Sequence, residues 1–257
     1  MSVEAQRPWP AGDRDPFSRH PELRRRIADP LTSYFRHFDP EELQVELRAR
    51  GLQPEMVDSD EMREASRRET LAGRELDDLW VFAYGSLMWD PALRFVEVRR
   101  AYAPEHARRF IFKDVSGWRG TPEAPGVMAA LDQGTGCEGL AFRIASDEID
   151  EESRHLWKRE KFGPTYTPAF IPVDLGDQQV RALTFLADHG AHSIHPDLPY
   201  GEQVRFAATG SGWYGSSFEY VENIARQFEA LAIEDPHVTG LLRDASAYRA
   251  PLQDTTP

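Results

Sequence analysis

Glu160 closes the run His155-Leu156-Trp157-Lys158-Arg159-Glu160, where helical spacing puts Leu156 on its face and Trp157 beside it. A carboxyl in such an apolar setting titrates nearer neutrality, as a general acid or base must. Lys158 and Arg159 oppose that shift if they approach it, and a solvent-facing Glu in ion pairs is the alternative. A second pattern is Tyr84-Gly85-Ser86-Leu87-Met88-Trp89, where an apolar run stops at a glycine. Gly85 at positive φ would let successive backbone N–H groups point one way. Such a nest binds a carboxylate or an oxyanion without charged side chains; the plainer reading is a tight turn. A third is Arg119, in the loop Trp118-Arg119-Gly120-Thr121-Pro122-Glu123-Ala124-Pro125-Gly126. Glycine and proline stiffen that loop, so its guanidinium can pair with a substrate carboxylate in bidentate fashion, or simply face solvent.

Three further patterns point to other chemistries. A serine nucleophile at Ser86 needs Gly-x-Ser-x-Gly, but Tyr84 and Met88 occupy the glycine positions. Gly210-Ser211-Gly212-Trp213-Tyr214-Gly215 fits the dinucleotide-binding pattern Gly-x-Gly-x-x-Gly. That site needs a strand before the first glycine and another after the following helix. Glu202 to Ala208 reads instead as a helix, and no later strand is legible. His189, His192 and His195 recur every third residue in a loop broken by Gly190 and Pro196. The spacing matches no familiar metal motif, so exposed loop histidines are expected and no metal or cofactor is assigned.

The elements that must position these residues are read from periodicity. Leu79 to Tyr84, Leu93 to Arg99, Arg108 to Val115, Val127 to Leu131 and Gly139 to Ile144 read as strands separated by turn residues. Ser146 to Phe162 reads as a helix, with acidic residues where the N-terminal dipole favours them. Thr167 to Asp174 and Gln179 to Leu186 read as two more strands, and Phe218 to Leu231 as an amphipathic helix. Consecutive strands with one inserted helix and terminal helices predict an α+β domain around a small curled or barrel-like sheet. Residues 1–76 differ: they are charged and strand-poor, with helices over Pro30 to His37, Asp39 to Arg50 and Asp58 to Glu75. The expected organisation is a helical N-terminal extension over 1–76, one domain over 77–248 and a flexible tail over 249–257.

The chain carries 30 Lys and Arg against 43 Asp and Glu, a formal charge of −13. That balance repels phosphate backbones and anionic lipid, so neither nucleic acid nor a membrane is expected as partner. Its few basic pairs and the triplet Arg24-Arg25-Arg26 lie among acidic or apolar residues. Cys137 is the only cysteine, which fits a reducing cytoplasm. Met1 to Asp15 has no apolar core of a signal peptide, and no run is long enough to span a bilayer.

In order and spacing, these segments resemble the ChaC-like γ-glutamylcyclotransferases from about Leu79 to Arg243. The matching motifs are Trp80 to Trp89, the Arg119 to Gly126 loop, and the helix end Leu156-Trp157-Lys158-Arg159-Glu160. Near the C-terminus, Ser211-Gly212-Trp213-Tyr214-Gly215 is followed by Glu219-Tyr220. Ala83 stands where the family usually has Gly, and Gly163-Pro164-Thr165 replaces a more glycine-rich approach to Tyr166. The resemblance implies a small mixed β-barrel flanked by helices. It implies that Tyr84, Gly85, Ser86 and Leu87 hold a γ-glutamyl group through backbone N–H groups. It implies that Glu160 moves the proton and that Tyr166 and Tyr220 line the pocket; Arg119 joins them as a candidate substrate-binding residue on the loop reading above. The implied reaction cleaves glutathione, or a related γ-glutamyl peptide, to 5-oxoproline and Cys-Gly without a cofactor; the alternative is the same chemistry on other γ-glutamyl amino acids or amines, and a monomer or homodimer is expected. A non-catalytic module that kept a γ-glutamyl pocket is the rival reading.

Overall fold

The computed structural model describes Trp9 and residues 15–52, 57–74 and 77–253. The expected helix end at Glu75, most of Met1 to Asp15 and the last residues of the tail lie outside them. Seven strands form one sheet: β1 (Asp78–Ala83), β2 (Glu97–Ala103), β3 (His106–Asp114), β4 (Gly126–Gln133), β5 (Cys137–Ala145), β6 (Tyr166–Asp174) and β7 (Gln179–Ala187). Their order is β1-β5-β2-β6-β7-β4-β3, and β1 also pairs with β7. Five strands, β1, β5, β2, β6 and β7, therefore close into a barrel. Two short contacts complete it: Trp80 and Val81 run parallel to Ala182 and Leu183, and Tyr102 meets Asp174. Closure removes the unpaired edges that would otherwise face water. The β3–β4 hairpin extends the sheet beside β7, and its connection is the Arg119 loop.

The core explains these strands. Val81 and Phe82 point to opposite faces of β1, and both are wholly buried. One side fills the barrel and the other lies under helices, so the run is apolar throughout rather than alternating. The α4 helix (Ile149–Glu160) links β5 to β6. After β7 come α5 (Tyr200–Thr209), α6 (Ser217–Ala230) and α7 (Pro236–Gln253). Ser216 and Glu219 form a capping box that starts α6, which buries Tyr220, Val221, Ile224 and Phe228. No helix among the described residues is long and apolar enough to cross a membrane.

The N-terminal segment carries α1 (Tyr34–His37), α2 (Pro40–Ala49) and α3 (Asp60–Leu71). Asp39 caps α2, accepting from the Glu41 and Glu42 N–H groups at 2.8 and 3.1 Å. Where a helix is expected from Pro30, only one turn forms. The Asp29 carboxylate takes the Leu31 N–H at 2.9 Å, and Ser33 then caps the new start. The strand expected from Leu93 begins at Glu97 instead. Ala92 turns the chain at φ 56°, and Leu93 and Phe95 fill the core without joining the ladder. Residues 15–27 are not peripheral: Phe17 and Leu23 are wholly buried in the main core, and the Val98 N–H donates to the Pro16 carbonyl at 3.1 Å.

Candidate active site

β1 delivers Tyr84 and Gly85 into a single 3-10 turn, Ser86–Met88. Within it, the Met88 N–H bonds the Gly85 carbonyl at 2.9 Å and the Asp90 N–H bonds the Ser86 carbonyl at 3.0 Å. The Ser86 and Leu87 N–H groups stand first in the turn and so have no acceptor inside it. Gly85 does not adopt the positive φ expected from the sequence; its φ is −131°. Glycine is needed there for space, because a Cβ would lie 2.7 Å from the Tyr220 hydroxyl.

Glu160 is the last residue of α4. Leu156 and Trp157, both about 1% exposed, anchor that end of the helix. Trp157 packs on Phe185 with centroids 5.3 Å apart, and its indole N–H donates to Ser66 Oγ at 3.1 Å. The Glu160 side chain is 12% exposed and lines a pocket of about 30 Å³ shared with Tyr84, Gly85, Ser86, Leu87, Tyr166 and Tyr220. Burial raises its pKa above the usual glutamate value, and Arg159 works against that rise. Arg159 Nε lies 3.1 Å from Glu160 Oε1, and Nη2 donates to Ser86 Oγ at 2.8 Å. Nη1 donates to the Asp90 carbonyl. Among the described residues Ser86 Oγ is thus hydrogen-bonded to a guanidinium, which has no lone pair to accept its proton as nucleophilic catalysis would require.

Three tyrosines surround the carboxyl. Burial, with the Glu160 charge adding to it, pushes Tyr84 and Tyr166 well above the ordinary phenol value and Tyr220 up to about 12. All three stay neutral across the working range. Tyr84 donates to the Phe185 carbonyl at 3.0 Å, and Tyr220 Oη accepts from the Ala129 N–H at 3.3 Å. These bonds fix rings whose hydroxyl ends face the pocket.

Arg119 is 7% exposed. The loop carrying it is held from within by buried Asp114, whose carboxylate accepts from the Arg119 N–H, the Gly120 N–H at 2.9 Å and the Ser116 N–H at 2.8 Å. Its guanidinium lies over Tyr214 at 4.9 Å and Tyr220 at 5.8 Å. Among the described residues its side-chain hydrogen-bond partner is a carbonyl, that of Ser216 at 3.4 Å, rather than a carboxylate. Burial lowers its pKa, against the opposing pull of Tyr214, Tyr220, Glu219 and Asp114.

That cavity measures about 420 Å³ and runs outward from Ser86, Glu160, Tyr166 and Tyr220 past Arg119 and Arg159. Every residue singled out for the site from the sequence therefore lies on one of these two connected spaces. The sequence reading missed Asp114, the bridging role of Arg159, and Lys113, His192 and His195, which line the outer cavity. It also missed Phe35, a wall of the same cavity. The histidine triplet divides: His189 pairs with Asp132 at 3.1 Å, and only the other two face the cavity. Among the described residues no cluster of three or more His, Cys, Asp or Glu could hold a metal ion. The glycine pattern at 210–215 is a two-strand clasp, β8 (Ser211–Gly212) and β9 (Gly215–Ser216), preceded by a helix. Its Trp213 and Tyr214 N–H groups bond the carbonyls of Gly117 and Trp118, so it secures the Arg119 loop rather than a phosphate.

Comparison with known proteins bears on the family and the fold. The family model described as ChaC-like protein matches residues 79–248. The glutathione-specific γ-glutamylcyclotransferase of Escherichia coli strain K12 is 32% identical over 194 residues, covering 75% of this chain and 84% of that protein. The glutathione-specific γ-glutamylcyclotransferase 1 of Mus musculus is 32% identical over 155 residues, covering 57% of this chain and 68% of that protein. The crystal structure of a yeast γ-glutamyl cyclotransferase specific to glutathione shares the fold, with a TM-score of 0.61 at 21% identity over 68% of this chain and 99% of that one. The matched region holds the barrel, the Gly85 turn, the Arg119 loop and the helix ending in Glu160, and this chain belongs to the ChaC-like protein family.

Proposed function

We propose that the protein degrades glutathione by cyclising its γ-glutamyl group, releasing 5-oxoproline and Cys-Gly, with Glu160 as the proton carrier. The observation that carries the reading is one small pocket lined by both Glu160 and the Gly85–Leu87 turn. The names of the E. coli and mouse relatives support the substrate.

The substrate's α-amine attacks its own γ-carbonyl carbon. A C–N bond closes a five-membered lactam, and the bond to the cysteine nitrogen breaks. Nucleophile and leaving group belong to one molecule, so the protein's task is to hold a folded conformer with the two reacting atoms close. The amine is protonated near neutrality and gives that first proton to solvent before it attacks; Glu160 accepts the second proton, which the nitrogen loses as the C–N bond forms. The carboxyl then returns that proton to the departing amine, acting as base and afterwards as acid. The Ser86 and Leu87 N–H groups anchor the glutamyl group or its developing oxyanion. Arg119, short of a carboxylate partner, takes a substrate carboxylate. Tyr84, Tyr166 and Tyr220 remain neutral and keep the pocket dry around the carboxyl.

The test replaces Glu160 by Gln and follows 5-oxoproline by chromatography. Glu160→Gln should fold and lower kcat by about 10²- to 10⁴-fold. Turnover within a few-fold of wild type in the folded variant would remove Glu160 from the chemistry.

A further inference from the structure

The region matched to the family begins at residue 79, yet one wall of the cavity comes from the N-terminal segment. Phe35, on α1, lines the cavity and is only 8% exposed. Its ring lies 4.0 Å from the Arg159 guanidinium carbon. The same ring packs against Tyr214 at 4.9 Å and Trp118 at 6.0 Å, so it is itself held. Its neighbour Arg36 locks α1 in place. Arg36 donates to both oxygens of wholly buried Glu152, each at 2.8 Å, and to the Ala92 carbonyl at 3.1 Å. Glu152 belongs to α4, the helix that ends in Glu160.

We infer that Phe35 is a positioning residue of this active site, acting through Arg159. A guanidinium is planar, and its N–H groups lie in that plane. An aromatic ring over one face fixes the plane while leaving the edge free to donate. Each of the three Arg159 nitrogens is engaged along that edge: Nε at Glu160, Nη1 at the Asp90 carbonyl, Nη2 at Ser86. The ring thus sets the distance between the proton-carrying carboxyl and the Gly85 turn. Without it, a side chain that is now 5% exposed gains room to rotate toward water. Only the consequence for turnover rests on the ring-closure reading above; the placement of Arg159 does not.

The test uses the full chain. In ¹⁵N-labelled wild type, the Arg159 Nε–H resonance, assigned by its loss in Arg159→Lys, should be displaced by the Phe35 ring current and exchange slowly with solvent. Phe35→Leu keeps an apolar side chain of similar reach but removes the π face. It should abolish the displacement, speed exchange and lower kcat about ten- to a hundredfold with a smaller change in KM. Phe35→Trp should restore the displacement, the slow exchange and kcat. Phe38→Leu probes the same aromatic cluster at a residue that does not line the cavity; it should lower the melting temperature and leave the Arg159 resonance in place. An undisplaced resonance in wild type, or one equally moved by Phe38→Leu, overturns the inference even if Phe35→Leu fails to fold. Unchanged kcat in a folded Phe35→Leu overturns its functional half. If wild type releases no 5-oxoproline from glutathione while the resonance responds as described, the proposed function fails and the positioning stands.

Discussion

Two opposed influences meet at the Glu160 carboxyl, and their balance makes it usable. Burial favours the neutral acid, while Arg159 at 3.1 Å favours the carboxylate. Burial is the larger, so the group titrates above the ordinary 4.5 and can both take and return a proton. A base works deprotonated, so the acid limb of kcat/KM should lie above the range of an exposed glutamate. Arg159→Met removes the cation, leaves burial unopposed and should move that limb to higher pH. A profile from pH 4 to 9 on both proteins decides it, and a limb that shifts toward acid refutes the assigned balance. The same sign applies to stability. Folding raises the Glu160 pKa, so the fold favours the protonated form and loses stability as pH rises through the folded value. Glu160→Gln should therefore melt higher than wild type at pH 8, with the gap closing at pH 4.

At the scale of elements, α1 is held to α4 by a buried ion pair rather than by a long apolar face. Arg36 and Glu152 side chains are 5% and 0% exposed, and Glu152 also accepts the Arg94 N–H at 2.9 Å. Removing one partner leaves an uncompensated buried charge, so Arg36→Met should destabilise the protein by about 3–5 kcal/mol in urea unfolding. Replacing both residues with Met should recover most of that loss, and a double variant no more stable than the single would refute the argument. This arrangement also marks what the sequence could reveal. Most strands are legible because their apolar runs and bounding turn residues are local signals, although β2 starts later than its apolar run, and the end of α4 is legible because Leu156, Trp157 and Glu160 are spaced on one helical turn. The one-turn α1 was not, since a side-chain bond from Asp29 overrides the helical period. Gly85 was recognised for a dihedral it does not adopt, because the true constraint is the Tyr220 hydroxyl arriving from α6. Phe35 gave no signal, since its meaning lies in a partner far along the chain.

Over the whole molecule, charge and packing each run against the local reading. The chain carries −13 overall, yet Lys113, Arg119 and Arg159 line the cavity, so a cationic funnel for a carboxylate-bearing substrate opens in an anionic surface. The segment before β1, charged enough to suggest an appendage, contributes to two apolar clusters. Phe17, Leu23 and Ile27 join the barrel core, and Phe35, Phe38, Leu43 and Leu47 build the cluster beside the cavity. Polar bonds tie it down as well: the Ala28 N–H donates to the Trp89 carbonyl at 2.7 Å, and Gln227 reaches the Arg26 carbonyl at 3.1 Å. A chain starting at residue 77 would keep every strand but expose the surfaces these residues cover, including Phe95, which Phe17 meets at 5.5 Å. Contiguous apolar area newly open to water favours association over solubility. Such a chain should aggregate, or bind a hydrophobic dye and melt without a sharp transition, and should not release 5-oxoproline at the wild-type rate. A cooperative melt with undiminished kcat from residues 77–257 would make the N-terminal segment dispensable, and with it the wall that Phe35 supplies.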